Sequence, residues 1–97
     1  MSADRCALCG AQHTLTFHHL IPRSQHKNKW FRKNFDLTDM RERGIILCRS
    51  CHSFIHKQFS EKQLGREFNS LADLLANEAV QRHIIWAKKQ AARSSIR

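Results

Sequence analysis

The alternation of polar and apolar residues predicts two short β-strands in the first half of the chain. Residues 14–18 read Thr-Leu-Thr-Phe-His, an alternating segment that is rich in β-forming side chains. The apolar run of residues 45–47 predicts a second strand that pairs with the first. Pro22 has no backbone N–H to donate, so we expect regular pairing to end before it.

A helix is predicted over residues 51–58, directly after the second strand. A helical projection places four side chains on its buried side: His52, Ile55, His56 and Phe59. Between the strands, residues 23–35 predict a loop with one helical turn, and residues 36–44 predict a polar, turn-prone segment.

Two more helix starts are marked by serine caps in the second half of the chain. Ser60 opens a Ser-x-x-Gln capping box, which predicts a helix that ends near Phe68. Ser70 offers the next cap, and apolar residues then recur at helical spacing from Leu71 to Ala87. We expect these helices to pack on the preceding strands and helix, to form a dimer contact, or to lie along DNA.

The balance of charge favours an anionic partner. The 97 residues include 17 Lys and Arg against 8 Asp and Glu, a formal net charge of +9. Nucleic acid is the leading candidate partner, and a merely soluble basic domain is the alternative. The cations concentrate in a segment without acidic residues that contains Arg23, Lys27, Lys29, Arg32 and Lys33. Trp30 and Phe31 lie within it and either fill the core, which we favour, or stack on bases.

Four cysteines form two C-x-x-C pairs, Cys6 with Cys9 and Cys48 with Cys51. Residues 1–17 contain no apolar run long enough for a signal peptide or a membrane span, which predicts an intracellular, cytoplasmic protein without a membrane partner. Thiols stay reduced there, so zinc is favoured over disulfides, buried free cysteines or a redox pair. Four thiolates would close a tetrahedral site, and this zinc would be structural.

Four histidines follow the cysteine pairs closely in sequence. His52 and His56 share one face of the predicted helix, and His18 or His19 could add a third metal ligand. Three imidazoles leave coordination positions open for water or phosphate, and the remaining histidine can act as a general base. The alternative is a set of ordinary surface or core histidines.

The combined pattern resembles the HNH endonucleases, the ββα-metal nucleases, and especially their colicin-type variant. The resemblance covers roughly residues 6–57 and rests on both C-x-x-C pairs, the run from His18 to Pro22 and the helical His52-x3-His56. It implies that His19 is the general base that activates water, and that His18, His52 and His56 hold a catalytic divalent metal (magnesium, manganese, nickel or zinc). The family's middle Asn position, nine residues before His52, holds Arg43 here, and Asn34 is the nearby candidate to replace it.

With this resemblance, the sequence predicts an α+β fold: a small zinc-stapled ββα-metal core at residues 1–59 and a C-terminal helical extension at residues 60–97, in one domain. The predicted function is hydrolysis of phosphodiester bonds in DNA, without a small-molecule cofactor. Arg23 and Arg49 are candidates to hold flanking phosphates, or are ordinary solvated cations, and the basic segment would follow the DNA backbone. The alternatives are a non-catalytic, zinc-dependent nucleic-acid-binding module and a zinc-stabilised protein-interaction domain.

Overall fold

Two antiparallel strands and six α-helices form the part of the chain that the structure describes. The computed structural model covers residues 4–12 and 14–95, with side chains described up to residue 90. The elements in chain order are β1 (Leu15–His19), a 3₁₀ turn (Arg23–Gln25), α1 (Lys29–Asn34), α2 (Leu37–Glu42), β2 (Gly44–Cys48), α3 (Arg49–Gln58), α4 (Glu61–Glu67), α5 (Leu71–Leu75) and α6 (Glu78–Ser95). This confirms the predicted α+β class. Within these residues, no helix combines the length and apolar character needed to cross a membrane.

β1 and β2 pair antiparallel, with Leu15 opposite Cys48 and His19 opposite Gly44. Both predicted strands are therefore confirmed, each within a residue or two of its expected bounds. The pairing leaves no room for a side chain at position 44 unless its neighbours shift. A Cβ there would overlap the Phe17 ring and would lie 2.7 Å from the carbonyl oxygen of His18. The bare backbone of Gly44 thus lets the aromatic ring lie across the end of the hairpin.

The predicted helix after β2 is confirmed and begins two residues earlier than expected, at Arg49. Its N-cap is Cys48, whose Sγ accepts a hydrogen bond from the Cys51 N–H. The buried positions are Cys51 and Ile55, followed by Phe59 just past the helix end. The two histidines do not share that buried side as predicted: each follows a buried residue by one position, about 100° around the helix. His52 is therefore half-buried and His56 is exposed at the edge of the packed face.

The segment between the strands is more helical than its sequence indicates. Residues 36–44, predicted as turn-prone, contain α2, and residues 29–34 form α1. Each of these helices is anchored by one fully buried side chain, Phe31 in α1 and Met40 in α2, and both join Ile21 in a small apolar cluster. A single anchor gives no periodic pattern, because periodicity requires several apolar residues on one face.

The two aromatic residues of α1 have different environments. Phe31 is buried as favoured, but the same prediction is wrong for Trp30, which is 39% exposed. The guanidinium of Arg66 lies over the Trp30 ring, 4.3 Å from its centroid. An aromatic face paired with a cation can stay at the surface, because the ring quadrupole attracts the charge.

The caps predicted for the second half of the chain are confirmed. Ser60 accepts from the Gln63 N–H and Ser70 from the Asp73 N–H. The apolar run after Leu71 is divided at Asn77, whose side chain accepts from the first N–H groups of α6. Leu64, Leu74, Val80 and Ala87 join the apolar cluster that contains Cys51 and Ile55. The boundary after residue 59 stays a prediction.

Candidate metal centres

The four cysteines meet in one buried cluster. Cys6 and Cys9 lie in the turn before β1, while Cys48 ends β2 and Cys51 lies in the first turn of α3. All four Sγ atoms lie within 4.8 Å of one another, and those of Cys9 and Cys48 are 3.7 Å apart. This confirms that the two C-x-x-C pairs come together.

Both pairs have the same local geometry. The Cys9 N–H points at Sγ of Cys6 and the Cys51 N–H at Sγ of Cys48, each at 3.5 Å. The chain leaves the first pair through Gly10, whose φ of 79° lies in the left-handed region that glycine adopts without strain. These N–H groups stabilise negative charge on the sulfur atoms they face.

The four buried thiols need a nearby cation if more than one of them is to ionise. A hydrogen bond from the Cys51 thiol lowers the pKa of Cys6 to about 4. The same hydrogen bond, together with burial, raises the pKa of Cys51, and burial raises that of Cys9. One thiolate therefore opposes the ionisation of its neighbours, and a metal ion resolves that repulsion because it binds thiolates. Four buried sulfur donors suit a structural metal such as zinc.

Three histidines form a second cluster between β1 and α3. Ring nitrogens of His18, His52 and His56 lie within 4.8 Å of one another. The ring centroids are 5.2 Å apart for His18–His52, 5.4 Å for His18–His56 and 4.9 Å for His52–His56. One nitrogen from each ring could therefore face a common ion.

His18 is the buried member of this cluster. Its side chain is fully buried, and neither Nδ1 nor Nε2 has a hydrogen-bond partner. Burial, with help from His52 and His56, lowers its pKa to about 3, so the ring is neutral near pH 7. Buried imidazole nitrogens without partners are costly. A metal bound at this position would give one of them a partner, so the cluster fits a metal ion.

His19, the predicted general base, does not belong to this cluster. It is the last residue of β1, and its ring packs edge-on against Phe17, with centroids 4.8 Å apart. It lines a pocket of about 590 Å³, whereas His52 and His56 line a separate pocket of about 470 Å³. Adjacent strand residues point to opposite faces, which separates His19 from His18. Burial and the nearby charges of His26 and Arg23 lower the pKa of His19.

The basic residues predicted to bind nucleic acid occupy different sites. Arg23, Lys27 and Arg32 line the pocket beside His19, and Arg49 lines the pocket of His52 and His56. Lys33 lies in a third pocket that also contains Asp36 and Asp39. Lys29 is exposed at the first residue of α1.

The sequence did not indicate two residues that the structure places beside His19. His26 is 8% exposed and its Nε2 donates to the Ile21 carbonyl oxygen at 2.7 Å. Arg41 reaches the same pocket from α2. Recognition of α2 as a helix would have placed Arg41 on one face with Leu37, four residues earlier. No sequence signal distinguishes His26.

Asn34, the candidate replacement for the missing asparagine, does not support His19. Its side chain donates to the Trp30 carbonyl oxygen within α1. Arg43 supports the residue after His19 through its backbone, because its carbonyl oxygen accepts from the Leu20 N–H at 3.0 Å. Its side chain forms an ion pair with Asp39.

Comparison with known proteins finds a relative in Bacillus subtilis (strain 168). The uncharacterized protein YisB is 32% identical over 89 residues, a span that covers 91% of this chain and 77% of YisB. No protein-family model matches the sequence, and no solved structure matches it significantly. The argument for a function therefore rests on the site.

Proposed function

We propose that this chain, which belongs to the same family as YisB, is a metal-dependent endonuclease of the HNH type that hydrolyses phosphodiester bonds in DNA. The observation that carries the proposal is the cluster of His18, His52 and His56, whose ring nitrogens lie within 4.8 Å of one another. Three imidazoles on a hairpin and the helix after it can hold a divalent ion with open positions, which is the arrangement of a catalytic rather than a structural site.

The protein supplies the ligands in a suitable state. Burial keeps His18 neutral, and the pKa of His52 is lowered by burial and by His56. Neutral imidazoles bind metals, whereas imidazolium ions do not. A bound divalent ion would supply Lewis-acid stabilisation of the charge that develops on the phosphate and the leaving oxygen.

His19 would act as the general base. Its lowered pKa keeps the ring neutral near pH 7, so it can accept a proton from the water that attacks the phosphate. Because His19 lines one pocket and His52 and His56 line another, the scissile phosphate would lie across the end of β1, between the two pockets. Two hydrogen bonds hold the segment that follows His19: one from the Leu20 N–H to the Arg43 carbonyl oxygen and one from His26 to the Ile21 carbonyl oxygen. These bonds would do what the asparagine does in other members of the HNH family.

Charge supports DNA as the substrate. With a net charge of +9, the protein attracts polyanions, and Arg23, Lys27 and Arg32 lie beside His19. Contacts of this kind bind the phosphate backbone without reading sequence, so affinity should fall steeply with salt. DNA is accordingly the proposed partner.

The second candidate is a zinc-dependent nucleic-acid-binding module without catalysis. The separation of His19 from the pocket of His52 and His56 favours it, because a base must reach the water that attacks at the metal. In that case a zinc ion at the cysteine cluster would stabilise the fold, and the cations would bind the phosphate backbone of the nucleic acid.

Plasmid nicking separates the two candidates. Zinc-loaded wild-type protein should nick supercoiled DNA when magnesium, manganese, nickel or zinc is added, and His19→Ala should lower the rate by a factor of about 10²–10⁴, as expected for loss of a general base. Circular dichroism and zinc content should match between the two proteins. DNA binding without nicking by the wild type in all four metals would reject the endonuclease and favour the binding module.

A further inference from the structure

The pocket beside His19 is bordered by cations from three successive parts of the chain. Arg23 and Lys27 come from the segment that follows β1, and Arg41 comes from α2. Leu37 of α2 is the apolar residue that lines the pocket, and Arg32 of α1 adds a further cation. Residues from successive segments between positions 19 and 41 thus converge on one cavity of about 590 Å³.

These cations lack acidic partners. In the described part of the chain, Arg23, Lys27 and Arg41 form no salt bridge, and no acidic side chain is among the residues that line the pocket. Two nearby carboxylates are engaged elsewhere: Asp39 pairs with Arg43, and Glu61 accepts from the Ser24 hydroxyl. Asp36 and Glu42 are exposed and are not among the residues that line the pocket. A concave surface with unpaired charge of one sign concentrates the field and attracts an anion.

The backbone beneath the cations is well anchored. Met40 is fully buried and fixes α2, so Leu37 and Arg41, four residues apart, face the pocket together. On the other wall, the hydrogen bond from the nearly buried His26 to the Ile21 carbonyl oxygen ties the turn that carries Lys27 to the end of β1. The backbone that carries the cations is therefore fixed before a ligand arrives, which leaves mainly the side chains to be ordered on binding.

We propose that this pocket is a phosphate subsite, which holds a nucleic-acid strand beside His19, and that Arg41 is a main ligand of the phosphate. Guanidinium groups bind phosphate oxygens through paired, charge-assisted hydrogen bonds, and a lysine adds a point charge. The subsite deepens the proposed function, on which it rests for the identity of the strand. Its phosphate is either an internal phosphodiester or a terminal monoester, because both present anionic non-bridging oxygens to the cations.

The test is the affinity of the full-length, zinc-loaded protein for a fluorescein-labelled DNA duplex, measured by anisotropy over a range of salt, without a second metal. Arg41→Gln should weaken binding by about tenfold and should reduce the slope of log affinity against log salt by about one. Arg82→Gln makes the same charge change at an exposed position of α6 and should leave both quantities near wild type. Arg41→Lys should fall between Arg41→Gln and wild type.

A second pair of duplexes identifies the phosphate. Each carries a nick, with a 5′-phosphate in one duplex and a 5′-hydroxyl in the other. An equal loss for Arg41→Gln on both duplexes indicates an internal phosphodiester, and a loss confined to the 5′-phosphate duplex indicates a terminal monoester. Either result supports the subsite.

The subsite is overturned if Arg41→Gln and Arg82→Gln have equal affinities and salt slopes, because the pocket would then contribute only its share of net charge. This result is distinguishable from failure of the endonuclease. If the wild type binds DNA and never nicks it while Arg41→Gln still weakens binding, the subsite stands without the chemistry. If the wild type nicks DNA and the two variants bind alike, only the subsite fails.

Discussion

The Thr16 hydroxyl lies 2.8 Å from Nδ1 of His52 and also donates a hydrogen bond to the carbonyl oxygen of Leu47, again at 2.8 Å. A hydroxyl has one hydrogen, so after donation to Leu47 its oxygen can only accept from Nδ1–H of His52. A neutral imidazole with its hydrogen on Nδ1 carries its lone pair on Nε2. Strand pairing, which places Thr16 opposite Leu47, thus selects the tautomer of His52 that offers Nε2 to a metal.

Thr16→Val should weaken binding of a metal at the histidine cluster by about tenfold or more, because loss of an outer hydrogen-bond partner frees the ring orientation and tautomer. Titration calorimetry of zinc-loaded protein with nickel would measure this. Thr16→Ser keeps the hydroxyl and should bind like wild type. Thr38→Val makes the same change at an exposed position of α2, and equal affinities for the Thr16 and Thr38 variants would contradict the role of Thr16.

His18→Leu should stabilise the protein that holds zinc only at its cysteines. The substitution removes two buried ring nitrogens that lack partners, and an unsatisfied buried polar group costs about 1–3 kcal/mol. Urea unfolding should show a gain of about 1 kcal/mol or more. Nickel should raise the melting temperature of the wild type and should not raise that of His18→Leu. A loss of stability instead would mean that the ring stabilises the fold without a metal.

Stability should fall as the pH drops below about 6.5. The pKa of His18 is about 3 in the folded protein, against an ordinary value of 6.5, so between these values the unfolded chain binds a proton that the folded chain does not. The contribution of neutral, buried His18 to the free energy of unfolding is complete above pH 6.5 and is lost toward pH 3. The loss is about 1.4 kcal/mol per pH unit for one proton.

Burial is also the main cause that lowers the pKa of three other histidines, His19, His52 and His83. These lowered pKa values should make the fall in stability with decreasing pH steeper. Urea unfolding at several pH values would measure the slope, with zinc content followed in parallel because acid also releases metal from thiolates. His18→Leu should reduce the slope by about one proton. An unchanged slope in that variant would assign the acid sensitivity to other groups.

Removal of zinc should unfold the hairpin and α3 together. The cysteine cluster joins the turn before β1 to the start of α3, and Cys51 is fully buried within it. We expect a strong chelator or Cys51→Ser to abolish the cooperative thermal transition seen by circular dichroism, because metal binding and folding are coupled at such sites. His56→Ala should keep that transition and one zinc per chain, since His56 is exposed and outside this cluster.

Gly44→Ala should destabilise the protein by about 1–3 kcal/mol, the range for forced overpacking. The added Cβ would overlap the Phe17 ring and approach the His18 carbonyl oxygen. Thermal unfolding would measure the loss, and Phe17→Leu in the same chain should restore part of it by removal of the ring. No recovery in the double variant would place the strain in the backbone of β1.

Local sequence information was sufficient for the elements that carry the candidate metal ligands. The alternation of residues 14–18 and the short run at 45–47 marked both strands, and Ser60 and Ser70 marked helix starts through caps that the structure contains. The spacing of the C-x-x-C pairs indicated a joint cluster before any contact was known, because two such turns supply four thiolates for one ion. Periodicity and capping act within a few residues, so the sequence displays them directly.

The sequence alone therefore determined the α+β class, the hairpin and helix, and the four cysteines as one metal-binding set. Only the tertiary structure decided that α2 brings Arg41 to the pocket of His19, that the Asn34 side chain bonds within α1, and that His18 is buried while His19 lines a pocket. The reason is physical: these outcomes depend on strand register and on single anchors such as Met40, which join residues distant in the chain and leave no periodic pattern.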